Sequence, residues 1–377
     1  KSGFGLVNIE VDQRRRRVCS GQYARLEWTK TKLPRLLPMQ HDASTRAPIR
    51  CIVVTGPTAT GKTGLGVKLC DALDGEIISA DSRQVYQGLD LGTGKDYELY
   101  ETEKGRIPTH LIDVASPHEQ YHLYRYLRDV HEALDTICAR GRIPVFVGGS
   151  PLYIKAVLEA YRLEGGGPDP ELRQALANDS KEALREKLYE EAPDLYERTD
   201  ITQHKRLIRG IEIARSRDLP NMNTPDVELP PLYPLLVAPF FPRPEIHERI
   251  AKRLDERLEE GLTEEVQRLH EEQGLTWEQL DYFGLEYRYT AMYLKGELDA
   301  EQFRSRLLAA IRHLCKSQEI WFRKIEREGH EIYWIRRGES SEALSLAERF
   351  LNNESLPPPE FQLKDIKYDS KGRMRAA

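Results

Sequence analysis

The run GPTATGKT at residues 56–63 combines residue types and spacing that can hold phosphate. It fits GxxxxGK[ST], follows a short apolar run and opens an amphipathic one, which is the context such a loop requires. The backbone N–H groups of Ala59 to Thr63 can converge on phosphate oxygens, Lys62 adds a full positive charge, and the Thr63 hydroxyl can ligate Mg²⁺. Asp81 ends the apolar run GEIISAD, whereas IPVFV runs into Gly148-Gly149-Ser150 with no acid. That second ending removes side chains and leaves room for a bulky ligand to approach the backbone. A nucleotide hydrolase or kinase would need an acid for its Mg²⁺, and HLIDV offers Asp113. Asp81 can also be read as the cap of a helix starting at Ser82, and spacing alone leaves both readings open.

These residues need a scaffold that brings them together. From Cys51 the chain alternates apolar β runs (CIVVTG, GEIISAD, HLIDV, IPVFVGG) with helical ones (TGLGVKLCDAL and YHLYRYLRDVHEALDTICARG). The alternation predicts an α/β fold, a mostly parallel sheet with helices on both faces. Ligands then sit outside the carboxyl ends of the strands, where the glycine loop, Asp81 and Ser150 all fall.

The breaker cluster EGGGPDP after Leu163 leads into a charged helical stretch from Pro170 to Arg217, read as a helical insertion spanning 164–228. LYPLLVAPFF returns the chain to the sheet, and long helices are expected from Pro244 to Gln273 and from Ala300 to Glu328. The boundaries are therefore 48–163 and 229–354 for the two parts of the core, with 355–377 expected to be disordered for lack of apolar content. Residues 1–47 form an N-terminal extension, disordered or not native. A start at Met39 is one hypothesis; an Arg-rich transit peptide is the rival, which Glu10, Asp12 and Glu27 speak against.

With 377 residues, 40% of them hydrophobic, the chain can bury a large core. No apolar run approaches the ~18 to 20 residues that cross a bilayer. The setting expected is therefore cytoplasmic, or an organelle matrix if the extension is genuine. Five scattered cysteines suggest neither zinc nor disulfides. Residues 1 to 50 hold 11 Lys/Arg against 4 Asp/Glu, and since the net charge is −5, the rest carries −12. Any nucleic-acid surface must then be a local patch.

Taken together, GPTATGKT, EIISADSRQVYQGLDLGTGK, IPTHLIDV, GRIPVFVGGSPLYIKAVLEAY, HKRLIRGIEI, RIAKRLDERLEEGLTEEV, FGLEYR and AIRHLCKSQEIWFRK resemble the tRNA dimethylallyltransferases, over about Cys51 to Arg327. The resemblance implies a P-loop NTPase-like core. It also implies transfer of a dimethylallyl group from dimethylallyl diphosphate to the exocyclic amino nitrogen of the adenosine 3′-adjacent to a tRNA anticodon. In that family role Asp81 is the catalytic base, aided by Ser150, which stands where Thr is usual and can orient Asp81 or the target base, and by Lys62. The diphosphate set implied is Gly56, Thr58, Ala59, Thr60, Gly61, Lys62, Thr63 and Arg253, with Mg²⁺ on Thr63. The tRNA set implied is Asp81, Ser82, Arg83, Gln84, Ser150, Lys205, Arg206, Arg209, Tyr287 and Arg288, gripping the anticodon stem-loop, and the protein is expected to be a monomer.

Several departures stand out: GTGKD for GTAKP, GGSPLY for GGTxLY, HKR for PQR, and Glu286 where the family has Gly. The zinc-finger extension of some eukaryotic relatives is not in the sequence. Two alternatives remain at this stage, an adenylate isopentenyltransferase acting on free AMP, ADP or ATP and a P-loop small-molecule kinase using Asp113.

Overall fold

The computed structural model describes residues 47–159, 168–217, 229–368 and 374–375. The N-terminal extension up to residue 46, with its Met39 start, and the last residues of the tail (369–373 and 376–377) lie outside them. Six strands form one parallel sheet: β1 (Ile49–Val54), β2 (Gly75–Ser79), β5 (Thr109–His110), β6 (Ile143–Val147), β7 (Leu232–Phe240) and β8 (Ile332–Arg336). A small hairpin, β3 (Glu101–Thr102) with β4 (Gly105–Arg106), precedes β5. The sheet order is β5-β2-β6-β1-β7-β8, so the strand leading into the glycine loop lies at the centre.

β1 is buried on both faces, as a central parallel strand must be. Cys51 and Val53 enter one apolar cluster while Ile52 and Val54 enter another. Helix α1 (Lys62–Leu73) and α13 (Ser340–Leu351) cover the second face; α2 (Leu123–Ala139), α3 (Pro151–Leu158) and the end of α12 (Ala300–Arg327) cover the first. Each fully buried aliphatic side chain contributes about 1.5 to 3 kcal/mol.

Between α3 and β7 come four short helices, α4 (Pro170–Leu176), α5 (Lys181–Glu191), α6 (Pro193–Arg198) and α7 (His204–Ser216), around their own cluster of Leu184, Leu188, Leu207 and Ile211. Glu212 ties α7 to α4, accepting from Arg173 Nε at 2.6 Å and from the Asp169 amide at 3.0 Å.

Three expectations need correction. The helix expected over Pro244–Gln273 breaks at Gly261 (φ 103) into α8 (Arg243–Glu259) and α9 (Leu262–Glu271). Of HLIDV only His110 joins the sheet, as the last residue of β5, because Leu111 (φ 64) and Asp113 (φ 57) turn the chain away. The tail from Ser355 is packed as far as Tyr368. Leu363 is buried, Phe361 packs edge-on against Phe240 at 4.8 Å, and the Glu326 carboxylate accepts the amides of Leu363 at 2.9 Å and Lys364 at 2.6 Å. A few well-placed apolar groups and one buried carboxylate hold this segment despite its polar composition. Helices α10 (Trp277–Tyr282) and α11 (Leu285–Leu294) complete the elements around the site.

Candidate active site

Sheet register sets the level of every strand end. Val54 pairs with Val147, and Val147 pairs with Ser79, so the glycine loop, Asp81 and Gly149 leave the sheet side by side. The Ala80 amide donates to Val147 O at 2.8 Å, and Gly148 N donates to Val54 O at 3.1 Å, continuing the ladder past the strands. A Cβ on Gly148 would meet Ala80 O at 2.2 Å. Strand packing therefore requires this glycine, and both it and Gly149, next to Lys62 Cε, line the cavity.

The cavity beyond these ends has a volume of about 580 Å³. Thr58, Ala59, Lys62 and Thr63 line one side, and Asp81, Ser82, Arg83, Gln84 and Ser150 another. Arg253 from α8 and Arg288 from α11 close it. The loop owes its shape to Ala59 (φ 60) and Gly61 (φ 83), which aim the first amides of α1 inward. Gly56 and Thr60 support that shape from outside the cavity. The Thr60 hydroxyl is buried and donates to Pro57 O at 2.9 Å.

Asp81 does not cap a helix, because the chain makes a turn from Ser82, and its carboxylate lines the cavity. Its Oδ1 accepts the Arg83 amide at 2.9 Å, capping a turn where a helix was expected, while no bond to Oδ2 is present among the described residues. Ser150 does not orient Asp81: its Oγ accepts the Ser82 amide at 2.9 Å and lies 3.3 Å from the Ser82 hydroxyl. The Gln84 side chain is likewise used internally, accepting from Ser79 at 3.1 Å and donating to Gly94 O at 2.8 Å.

Positive charge is concentrated between the glycine loop and α8. Asp96 accepts from Arg257 at 2.6 Å and lies 3.6 Å from Arg253. A Cβ on Gly94 would fall 2.0 Å from Arg253 Nη2, so glycine there (φ 72) lets the guanidinium pass. Burial first, then the neighbouring Arg253, lower the Lys62 pKa to about 8. Burial and Arg257 lower that of Arg253 as well. Burial also raises the Glu286 carboxyl, which lines the same wall. Burial thus disfavours the charged form of each of these groups, and the closeness of Arg253 to Lys62 and Arg257 adds a repulsion that a bound anion would relieve.

Some expected contacts fall elsewhere. Tyr287 is fully buried and donates to Glu265 Oε1 at 2.7 Å, so it cannot touch RNA directly. Lys205, Arg206 and Arg209 lie on α7 and do not line the cavity; Arg206 pairs with Asp200 and Arg209 with Glu212. Asp113 bonds to Lys95 and Tyr97 and does not line it either. Other cavity residues escaped the sequence reading, notably Arg257, Tyr282, and Ile311, Leu314, Gln318 and Trp321 of α12. The four-residue spacing of Arg249, Arg253 and Arg257, and the helical spacing along α12, were the available signals.

Among the described residues no helix is long and apolar enough to cross a membrane, and no group of three or more His, Cys, Asp or Glu side chains can hold a metal.

The IPP transferase family model matches residues 84–325. A relative from Citrifermentans bemidjiense named tRNA dimethylallyltransferase 2 is 47% identical over 284 residues, covering 75% of this chain and 90% of its own. The tRNA dimethylallyltransferase 1 of Geotalea uraniireducens is 42% identical over 306 residues, covering 81% and 98%. The crystal structure of the full-length tRNA isopentenylpyrophosphate transferase from Bacillus halodurans superposes with a TM-score of 0.57 at 27% identity, covering 81% of this chain and 97% of that one. A eukaryotic dimethylallyltransferase solved acting on tRNA has a TM-score of 0.67 at 20% identity, a likeness of fold. With its parallel sheet, its glycine loop facing an Asp across one cavity and relatives of this identity, the chain belongs to the tRNA dimethylallyltransferase family of prenyltransferase enzymes.

Proposed function

We propose that the protein transfers a dimethylallyl group from dimethylallyl diphosphate to the exocyclic amino nitrogen of the adenosine 3′-adjacent to the anticodon in tRNAs, releasing diphosphate. The observation that carries this reading is the shared cavity of the glycine loop and Asp81, in which a phosphate cradle faces a carboxylate with one oxygen unbonded.

In the step proposed, the adenine nitrogen attacks the allylic C1 of the donor. A C–N bond forms, the C1–O bond breaks, and its electron pair leaves with the diphosphate. The adenine lone pair is delocalised into the ring, so removal of its proton by Asp81 assists the attack, typically by about 10² to 10⁴-fold. The Ala59 to Thr63 amides, Lys62 and Arg253 stabilise the charge that builds on the bridging oxygen. Mg²⁺ fits this donor set: it takes few protein ligands and several phosphate oxygens, so the Thr63 hydroxyl would hold it and it would supply further charge neutralisation. Leu152, Leu314 and Trp321 give the cavity an apolar surface against which the prenyl chain would pack.

The kinase alternative needs Asp113 at the phosphates, and that residue is bound to Lys95 and Tyr97 away from the cavity. A cytoplasmic, monomeric enzyme belongs to the same reading. Incubation with labelled donor and either unmodified tRNA or AMP, followed by nucleoside mass spectrometry, tests it. Prenylated adenosine in the anticodon loop is expected, and transfer to AMP alone would overturn the choice of acceptor.

A further inference from the structure

Large apolar side chains exposed to water collect at the cavity mouth. Tyr282 is 49% exposed, Leu152 48% and Leu314 39%, and all three line the cavity. Exposed apolar groups gathered at a concave site mark a ligand surface. Tyr282 is the last residue of α10, and its ring is held from behind. Phe283 meets it edge-on at 5.6 Å and in turn meets the buried Tyr86 at 4.9 Å. The Arg83 guanidinium lies over the ring, 4.7 Å from its centroid. That guanidinium has no carboxylate partner among the described residues, whereas nearby Arg288 is paired with Asp281. Because the Arg83 amide is bonded to Asp81 Oδ1, this aromatic-cation pair is tied to the carboxylate proposed to take the proton.

We propose that Tyr282 and Arg83 form the platform on which an unpaired RNA base adjoining the target adenosine stacks. The proposal rests on the function argued above. An aromatic ring and a planar guanidinium both offer a face to any nucleobase, so stacking there is tolerant of sequence. The unneutralised Arg83 charge also suits the phosphate beside that base. Once the target base leaves the helix of the loop, its neighbour loses a stacking partner, and the platform replaces it.

The test uses the whole protein and an anticodon stem-loop RNA carrying 2-aminopurine on the 3′ side of the target adenosine, or on the 5′ side in a second RNA. The expected result is a change in 2-aminopurine fluorescence on binding in one of the two RNAs, kept in Tyr282→Phe and lost in Tyr282→Leu. RNA affinity should fall about tenfold or more in Tyr282→Leu and also fall in Arg83→Gln, while affinity for dimethylallyl diphosphate stays at the parent value in Tyr282→Leu. If Tyr282→Leu binds RNA and reports stacking like the parent, the platform is wrong. A loss confined to donor affinity would assign Tyr282 to the prenyl chain and also overturn it. Failure of the parent to bind the RNA at all would instead overturn the proposed function, and the platform with it.

Discussion

Gln318 and Thr58 are 260 positions apart in sequence, yet the Gln318 side-chain oxygen accepts the Thr58 amide at 2.8 Å. The other end of the same side chain donates to Gly149 O at 2.9 Å. One amide on α12 thus joins the entrance of the glycine loop to the end of β6, and it holds the loop amide just before the set proposed to bind the diphosphate. Replacement by Leu should remove both bonds, cost about 1 to 3 kcal/mol in stability and weaken dimethylallyl diphosphate binding about tenfold by loosening the loop. Calorimetric titration with the donor measures this; unchanged affinity would show that the loop holds its shape alone.

Asp81→Asn keeps an oxygen for the Arg83 amide and loses the proposed base. Turnover should fall by about 10² to 10⁴-fold while tRNA affinity is retained. Single-turnover prenylation alongside filter binding separates the two, and a parent-like rate would remove Asp81 from the proton transfer.

The Lys62 pKa, lowered to about 8 by burial and Arg253, should make donor binding pH-dependent. Below that pH the ammonium is charged and favours the diphosphate; as pH rises through about 8 it becomes neutral and affinity falls. Binding above that pH should take up a proton, because the bound anion favours the charged form. Lys62→Met should bind more weakly throughout and lose this component. The comparison cancels the donor's own ionisation, and parallel pH curves for parent and variant would refute the assignment.

Glu265 accepts the amides of Asp90, Leu91 and Gly92 at 3.2, 2.7 and 3.2 Å, together with the Tyr287 hydroxyl. It holds the loop that also carries Asp96 and hence Arg253. Tyr287→Phe should destabilise the protein by about 1 to 2 kcal/mol in urea unfolding without a direct effect on RNA affinity. A large loss of RNA affinity at parent-like stability would return Tyr287 to the RNA-contacting set.

Ending the chain at Glu354 should lower the thermal midpoint. Phe361 and Leu363 would no longer cover the core, and the buried Glu326 carboxylate would lose two amide donors. The cost is about 3 kcal/mol or more. Scanning calorimetry checks this, and a midpoint equal to the parent's would mean that the tail contributes nothing.

The glycine loop, the alternation of strands and helices, and the positions of Asp81 and Ser150 at strand ends were legible in the sequence. Each depends on local chemistry: periodicity within one element, or the residue types at one turn. The tertiary structure decided which of these groups meet and which are used elsewhere. It turned Tyr287 inward to Glu265, bound Asp113 to Lys95, set Ser150 against Ser82 and fastened the tail through Glu326. It also brought Gln318 to Thr58 and Tyr282 to Arg83. Those outcomes depend on sheet register and on how helices far apart in the chain pack together, and neither is encoded by the residues next to the groups concerned.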